Sequence, residues 1–159
     1  MLALIRIAVG VFFIFFAQYK LASPDFAHAG YARYVNGYIR SSAVSVYKPF
    51  LQKTLQHAVA SGYTVAVLEL LIGVSLVLGL WVRLFSVVGA LFMFNLVLCT
   101  WHPPGPGPPW RYLGNQLDNI PLLCLFLVFF FSRAGETWGL DARSKPSDRI
   151  RDAYKKSKD

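Results

Sequence analysis

The sequence predicts an all-α protein: an integral membrane four-helix bundle with amphipathic interfacial helices in its first connection. Of its 159 residues, 55% are hydrophobic and only 15% are charged, a balance foreign to ordinary water-soluble domains. Four apolar runs, about residues 2–21, 63–81, 84–101 and 117–132, approach the ~17–25 residues that a helix needs to cross a ~30 Å hydrocarbon layer. The second run, Tyr63 to Trp81, contains one charge, Glu69. A carboxylate at that depth is expensive, so it marks a functional site by default.

In the first run, Arg6, Gly10, Phe13, Ala17 and Lys20 recur at spacings of four and three, which keeps them on one helix face. Ala27-His28-Ala29 has the small residues of a leader-cleavage site. However, Arg6 lies inside the run and no cationic segment precedes it, so the run reads as a retained span. Arg6 is expected to snorkel to the nearer headgroups. The connection 23–62 is patterned. Tyr31, Tyr34, Val35, Tyr38 and Ile39 fall at helical spacing, and Leu51, Leu55, Ala58 and Val59 form a second apolar face opposite Lys53 and His57. Both stretches read as surface helices that cap the bundle or lie in the interface.

Gly62, Ala66, Glu69 and Gly73 share a face of the second span, and their small side chains allow close helix approach. Trp81-Val82-Arg83 leaves room only for a tight antiparallel hairpin, with Arg83 among headgroups. The third span aligns Asn95, Cys99 and His102. A stiff hinge with Pro103, Pro104, Pro106, Pro108 and Pro109 then leads to the fourth, which aligns Asn115, Asn119 and Leu122. The bundle is expected to occupy residues 1–143, followed by a basic tail, 144–159.

Basic residues fix the expected orientation. Arg133, Arg143, Lys145, Arg149, Arg151, Lys155, Lys156 and Lys158 crowd the C-terminal end. The positive-inside rule therefore puts both termini in the cytoplasm, for a multi-pass protein of the cell's inner membrane. The basic residues of the first connection pull the other way. The formal charge of +8 flanks membrane spans, so the expected partner is the lipid bilayer, and nucleic acid is not expected. Cys99 and Cys124 lie inside apolar runs and form neither a disulfide framework nor a zinc motif.

With this orientation, Lys20, Glu69, Asn95, His102, Asp118 and Asn119 all fall in the outer half of the bilayer. Lys20 is the expected counter-ion of Glu69. Paired, Glu69 is a structural ion; unpaired, it becomes a proton-handling catalytic group. Lys20, Asn95, His102 and Asn119 are candidate quinone-binding residues. Asn95 reads more readily as interhelical glue than as a ligand contact, His102 equally as a loop histidine, and Asp118 and Asn119 at least as readily as the start of a helix.

Arg6-Ile-Ala-Val-Gly10 with Tyr19-Lys20-Leu21, Glu69-Leu-Leu-Ile-Gly73 with Leu78-Gly79-Leu80-Trp81-Val82-Arg83, and Gly135-Glu-Thr-Trp138-Gly139-Leu140-Asp141 together resemble DoxX-like membrane proteins. The likeness runs over about residues 2–143. It implies a four-helix membrane protein related to the DoxD subunit of a thiosulfate:quinone oxidoreductase, or to members tied to thiol and oxidative-stress redox systems.

Two functions follow as expectations. One is a quinone-facing subunit of a respiratory or sulfur/thiol-oxidising complex, with quinone as cofactor and Glu69 as the protonatable group. Haem-ligand pairs, flavin motifs and iron–sulfur cysteines are missing from the sequence, so electrons would come from another subunit. The alternative is a non-catalytic scaffold or accessory subunit that stabilises a larger membrane assembly, with other membrane proteins or a second copy of the chain as partners. A channel fits less well, because four helices enclose little pore.

Overall fold

The computed structural model describes residues 1–141 apart from Pro104, Pro106 and Thr137. The expected tail 144–159 therefore lies outside the described residues. Among those described, all regular structure is helical. Helix α1 spans Leu2–Ala22, and the first connection contains α2 (Tyr31–Gly37) and α3 (Lys48–Leu55). Then come α4 (Ala58–Leu78), α5 (Val82–Cys99), the short α6 (Trp110–Gly114) and α7 (Asn119–Phe131). Wider π-helical turns at Phe26–Gly30 and Tyr38–Ser42 flank α2.

Helices α1, α4 and α5 are long and apolar enough to cross a membrane. The fourth apolar run is helical for only 13 residues, about 20 Å. It falls short of the expected 117–132 because residues 115–118 form turns instead. Pro121 sits in the first turn of α7, where a missing N–H costs little.

Two other boundaries move. Ala58 and Val59 belong to α4 rather than to a surface helix, because His57 (φ −126°, ψ 45°) breaks the helical path after α3. The α4–α5 turn falls at Gly79–Trp81 rather than Trp81–Arg83, since Val82 already begins α5. Gly79 has φ 66° and ends α4 in the left-handed conformation that a residue without Cβ adopts freely.

Helix α1 packs along α4 and α5 along α7, and the α4–α5 hairpin joins the two pairs. Glycine sets the first contact. A Cβ at Gly10 would lie 2.9 Å from the Gly73 carbonyl, and one at Gly73 would lie 2.7 Å from the Ile14 side chain. The Phe126 ring rests on Gly89 in the second pair. Phe13 meets Phe126 edge-on at 5.4 Å between centroids, tying the pairs into one core. Large apolar side chains such as Phe12, Phe15, Leu84, Leu91 and Phe131 point outward, as a surface solvated by hydrocarbon requires.

Arg6 does not snorkel. It is fully buried, and Nη1 donates to the Ala134 carbonyl at 2.6 Å while Nη2 reaches the Trp138 carbonyl at 3.3 Å. Several carbonyls can share one guanidinium fork, which removes the drive to reach headgroups. Gly79 and Gly139 leave the space, since a Cβ on either would stand 2.9 or 3.0 Å from Arg6 Nη1. The chain then pairs with the end of α4 through Leu140 N–H to Leu78 O and Asp141 N–H to Gly79 O. The Asp141 carboxylate accepts the Trp81 and Val82 N–H groups at 2.7 and 3.0 Å, capping α5 from a distant part of the sequence.

The Gly10–Gly73 contact makes a direct prediction. Gly73→Val should lower the stability of the detergent-solubilised protein by about 1–3 kcal/mol, because a side chain there would meet the backbone of α1. Gly37→Ala, at a helical position with open space around it, should leave stability unchanged or raise it by up to about 1 kcal/mol. Thermal unfolding of both variants checks the contrast, and equal losses would refute it.

Candidate functional site

The small-residue faces of α1 and α4 bring the C-terminal end of α1 and the N-terminal end of α4 together, and the first connection folds over them. Between them lies a cavity of about 690 Å³, bounded by α1, the connection, α4, α5 and the start of α7. Aromatic side chains are prominent in its wall, among them Phe13, Phe26, Tyr31, Tyr38 and Phe92. Phe15, Phe16, Tyr19, Tyr34 and Phe50 also line it while remaining largely exposed. The mouth thus lies on the side of the molecule that carries outward-facing apolar residues.

Four of the five candidate residues line this cavity: Lys20, Glu69, Asn95 and Asn119. Lys20 Nζ stands 2.5 Å from Glu69 Oε1, and the two side chains are 20% and 6% exposed. The ammonium also lies 5.1 Å from the centre of the Phe26 ring, a favourable cation–π distance. Glu69 Oε2 is buried and has no hydrogen-bond partner. One oxygen of the carboxylate is thus paired with the ammonium, and the other makes no hydrogen bond to the protein.

Asn95 is oriented by a residue that the sequence reading passed over. The Tyr47 hydroxyl, just ahead of α3, donates to Asn95 Oδ1 at 2.5 Å. Chiefly through burial, the Tyr47 phenol is pushed up to about 12, and Tyr38 is raised for the same leading reason. Both stay protonated in the physiological range. With its carbonyl occupied by Tyr47, Asn95 keeps its amino group as a donor.

Asn119 lines the cavity, but its amide serves a neighbouring polar cluster. Nδ2 donates to Thr100 Oγ1 at 3.0 Å and to Gln116 Oε1 at 3.2 Å. Gln116, almost completely buried, donates to the Thr100 carbonyl at 2.7 Å, and Asn115 donates to the same carbonyl. This cluster fastens the end of α5 to the start of α7. Gln116 was missed because a lone glutamine in a Gly-Asn-Gln-Leu-Asp stretch looks like a solvated loop.

His102 lies outside the cavity wall. Its backbone N–H donates to Ser42 O at 2.8 Å, and its ring packs edge-on against Tyr112 at 6.2 Å between centroids. Leaving α5 after Cys99, the chain turns away before His102 can follow the face of Asn95 and Cys99. Asp118 lines the cavity, precedes α7 and makes no side-chain cap hydrogen bond.

The connection is held down through carbonyls that every helix end leaves free. Val44 N–H donates to Leu98 O at 3.0 Å and Ser42 Oγ to Cys99 O at 2.8 Å. Val35, Ala43, Leu51 and Cys99 close a second, smaller core beneath it. Its tyrosine face, read from sequence as interfacial, is turned partly into the cavity. Among the described residues, no cluster of three or more metal-ligating side chains occurs.

Residues 1–102 match the family model DoxX. The chain belongs to the DoxX family. It is an integral membrane protein, by that membership and by its three membrane-length helices. No curated protein and no solved structure gives a match. The matched part of this DoxX chain includes Lys20, Glu69 and Asn95, whereas Asn119 and the Arg6-binding segment from Ala134 lie beyond it.

The ion pair is testable by exchange. Lys20→Glu and Glu69→Lys should each destabilise the protein by about 3 kcal/mol, because each buries two like charges. The double exchange should recover at least half of the summed loss in thermal unfolding. Additive losses would mean that the two groups do not interact in the folded protein.

Proposed function

We propose that this DoxX chain is the quinone-facing membrane subunit of a redox complex, with the cavity as its quinone site. One observation carries the reading: a lipid-side cavity of about 690 Å³, rich in aromatic side chains and lined also by Lys20, Glu69 and Asn95. Its size falls within the ~300–1,000 Å³ of small-molecule sites, and an apolar wall with a few polar groups suits a ring bearing two oxygens. A bound quinone would supply two-electron, two-proton chemistry. Lys20 and Asn95 would hold its oxygens, Glu69 would hold or pass a proton, and the aromatic wall would exclude water.

The electron donor in this reading is a partner protein, with a sulfur compound or thiol as the oxidised substrate, as in the DoxD-type complexes the sequence resembles. The membrane is the cell's inner membrane, with both termini cytoplasmic. The cavity would then lie in the outer half of the bilayer and the Arg6 knot near the cytoplasmic surface. Glu69 is the proposed catalytic residue, with Lys20 setting its charge.

The Lys20–Glu69 pair itself favours a second reading, because a neutralised glutamate can be purely structural. On that reading the chain is a non-catalytic subunit that stabilises a larger assembly of membrane proteins or copies of itself.

Extraction of the protein, purified in mild detergent with its native partners, should recover quinone by mass spectrometry. Leu96→Trp, which fills the cavity wall, should reduce the recovered quinone several-fold. Glu69→Gln should cut quinone-linked turnover at least tenfold, or shift its pH dependence, while the protein remains folded and inserted. Unchanged turnover with a lower unfolding temperature would replace the catalytic reading with the structural one.

A further inference from the structure

We infer that Tyr47 is a positioning residue of the site: from outside the cavity it holds the Asn95 amide with its amino group free for the ligand, and so makes the α5 wall select a ligand oxygen that accepts. This rests on the quinone reading above and goes beyond it, by placing the choice of ligand atom in the first connection rather than in the wall.

Tyr47 is not among the residues that line the cavity, whereas Asn95 is. The tyrosine ends the short turn Ser45–Tyr47, and its hydroxyl donates to Asn95 Oδ1 at 2.5 Å. That separation identifies the amide atom it meets. O–H···O bonds run from ~2.5 to 3.0 Å, while N–H···O bonds begin near ~2.7 Å, so the phenol faces the carbonyl oxygen and not the amino group.

Asn95 Nδ2 is left over. It has no hydrogen-bond partner among the described residues, yet it is not one of the buried partnerless atoms, as Glu69 Oε2 is. It is therefore accessible, on a half-buried side chain of the cavity wall. An amino group has only hydrogens to offer, so it suits a quinone carbonyl.

The turn that carries Tyr47 is fixed from behind. Ser42 Oγ donates to Cys99 O at 2.8 Å and Val44 N–H to Leu98 O at 3.0 Å, one helical turn beyond Asn95, and the Tyr47 ring packs against Phe50 at 5.1 Å between centroids. Tyr47 is the donor to Asn95 Oδ1 among the described residues. The terminal torsion of asparagine is soft and roughly two-fold. Without the phenol, the amide is free to turn and set its carbonyl against the ligand's oxygen.

The test uses the full chain in lipid nanodiscs, with a short-tailed benzoquinone labelled isotopically at its carbonyl carbons as the probe. Calorimetry gives dissociation constants, and isotope-edited infrared spectra give the carbonyl stretches of the bound probe. Tyr47→Phe removes a single oxygen atom and should weaken binding about three- to tenfold, the worth of one net hydrogen bond. A hydrogen bond lowers the stretch of the carbonyl that accepts it, so one carbonyl band should rise in Tyr47→Phe. In an Asn95→Leu background, the same substitution should change binding less than about twofold, because no amide is left to position.

Carbonyl bands that stay in place in Tyr47→Phe, whatever the affinity, would overturn the inference and leave the quinone site standing. So would an equal loss of binding in the Asn95→Leu background, since Tyr47 would then act by holding the connection rather than through the amide. Should Asn95→Leu fail to fold, the infrared comparison decides alone: a merely loosened site weakens binding without moving a band of the quinone that stays bound. Failure of the unaltered chain to bind the probe would remove the quinone reading itself, and the inference with it.

Discussion

The approach of α1 to α4 through Gly10 and Gly73 is the constraint on which the rest of the structure depends. The contacts of Gly10 with Gly73 and Val77, and of Ile14 with Gly73, show that the helices run antiparallel in one fixed register. From that crossing, Lys20 lies ~15 Å along α1, while Glu69 lies ~6 Å along α4 in the same direction. The difference is about 9 Å. Side chains on a helix lean toward its N-terminus, so on antiparallel helices Lys20 and Glu69 lean toward each other across that gap. Backbone contact at one level thus creates the ion pair at another, without either charged residue having to hold the helices together.

The two ends of the bundle handle buried charge in opposite ways. At one end Arg6 is enclosed by the carbonyls of Ala134 and Trp138, and the same segment goes on to cap α5 with Asp141. Charge there is spent on closing the fold. At the other end Glu69 keeps one oxygen paired and one bare, next to a cavity rather than a packed core.

Much of this was legible in the sequence because helical periodicity reports faces directly. The sets Arg6, Gly10, Phe13, Ala17 and Gly62, Ala66, Glu69, Gly73 are buried as their spacing implies, and with antiparallel helices they bring Lys20 to Glu69. Periodicity fails where the chain leaves regular helix. It carried the face of Asn95 and Cys99 on to His102, although the helix stops at Cys99. It grouped Ala58 with Leu55 across the break at His57. The snorkelling rule misplaced Arg6 because its partners are backbone carbonyls more than a hundred residues away, and carbonyls have no sequence signature. Tyr47 and Gln116 were invisible for a related reason, since each acts through one long-range hydrogen bond or a small cluster of them.

The first connection decides whether the polar residues form a site or merely a patch on the bundle. Without it, Lys20, Glu69 and Asn95 would face the lipid-side surface with no wall opposite. The connection supplies that wall through Phe26, Tyr31 and Tyr38, and it orients Asn95 through Tyr47. It is attached through Ser42 and Val44 to carbonyls that α5 cannot satisfy itself, and through a small core around Val35 and Leu51. It also packs along α4, where Ala27 lies close against Gly62. On the proposed reading, a lipid-soluble ligand enters sideways past Phe15, Phe16 and Tyr19 from the bilayer. Ligand exchange by that route need not disturb the Gly10–Gly73 contact that holds Lys20 against Glu69.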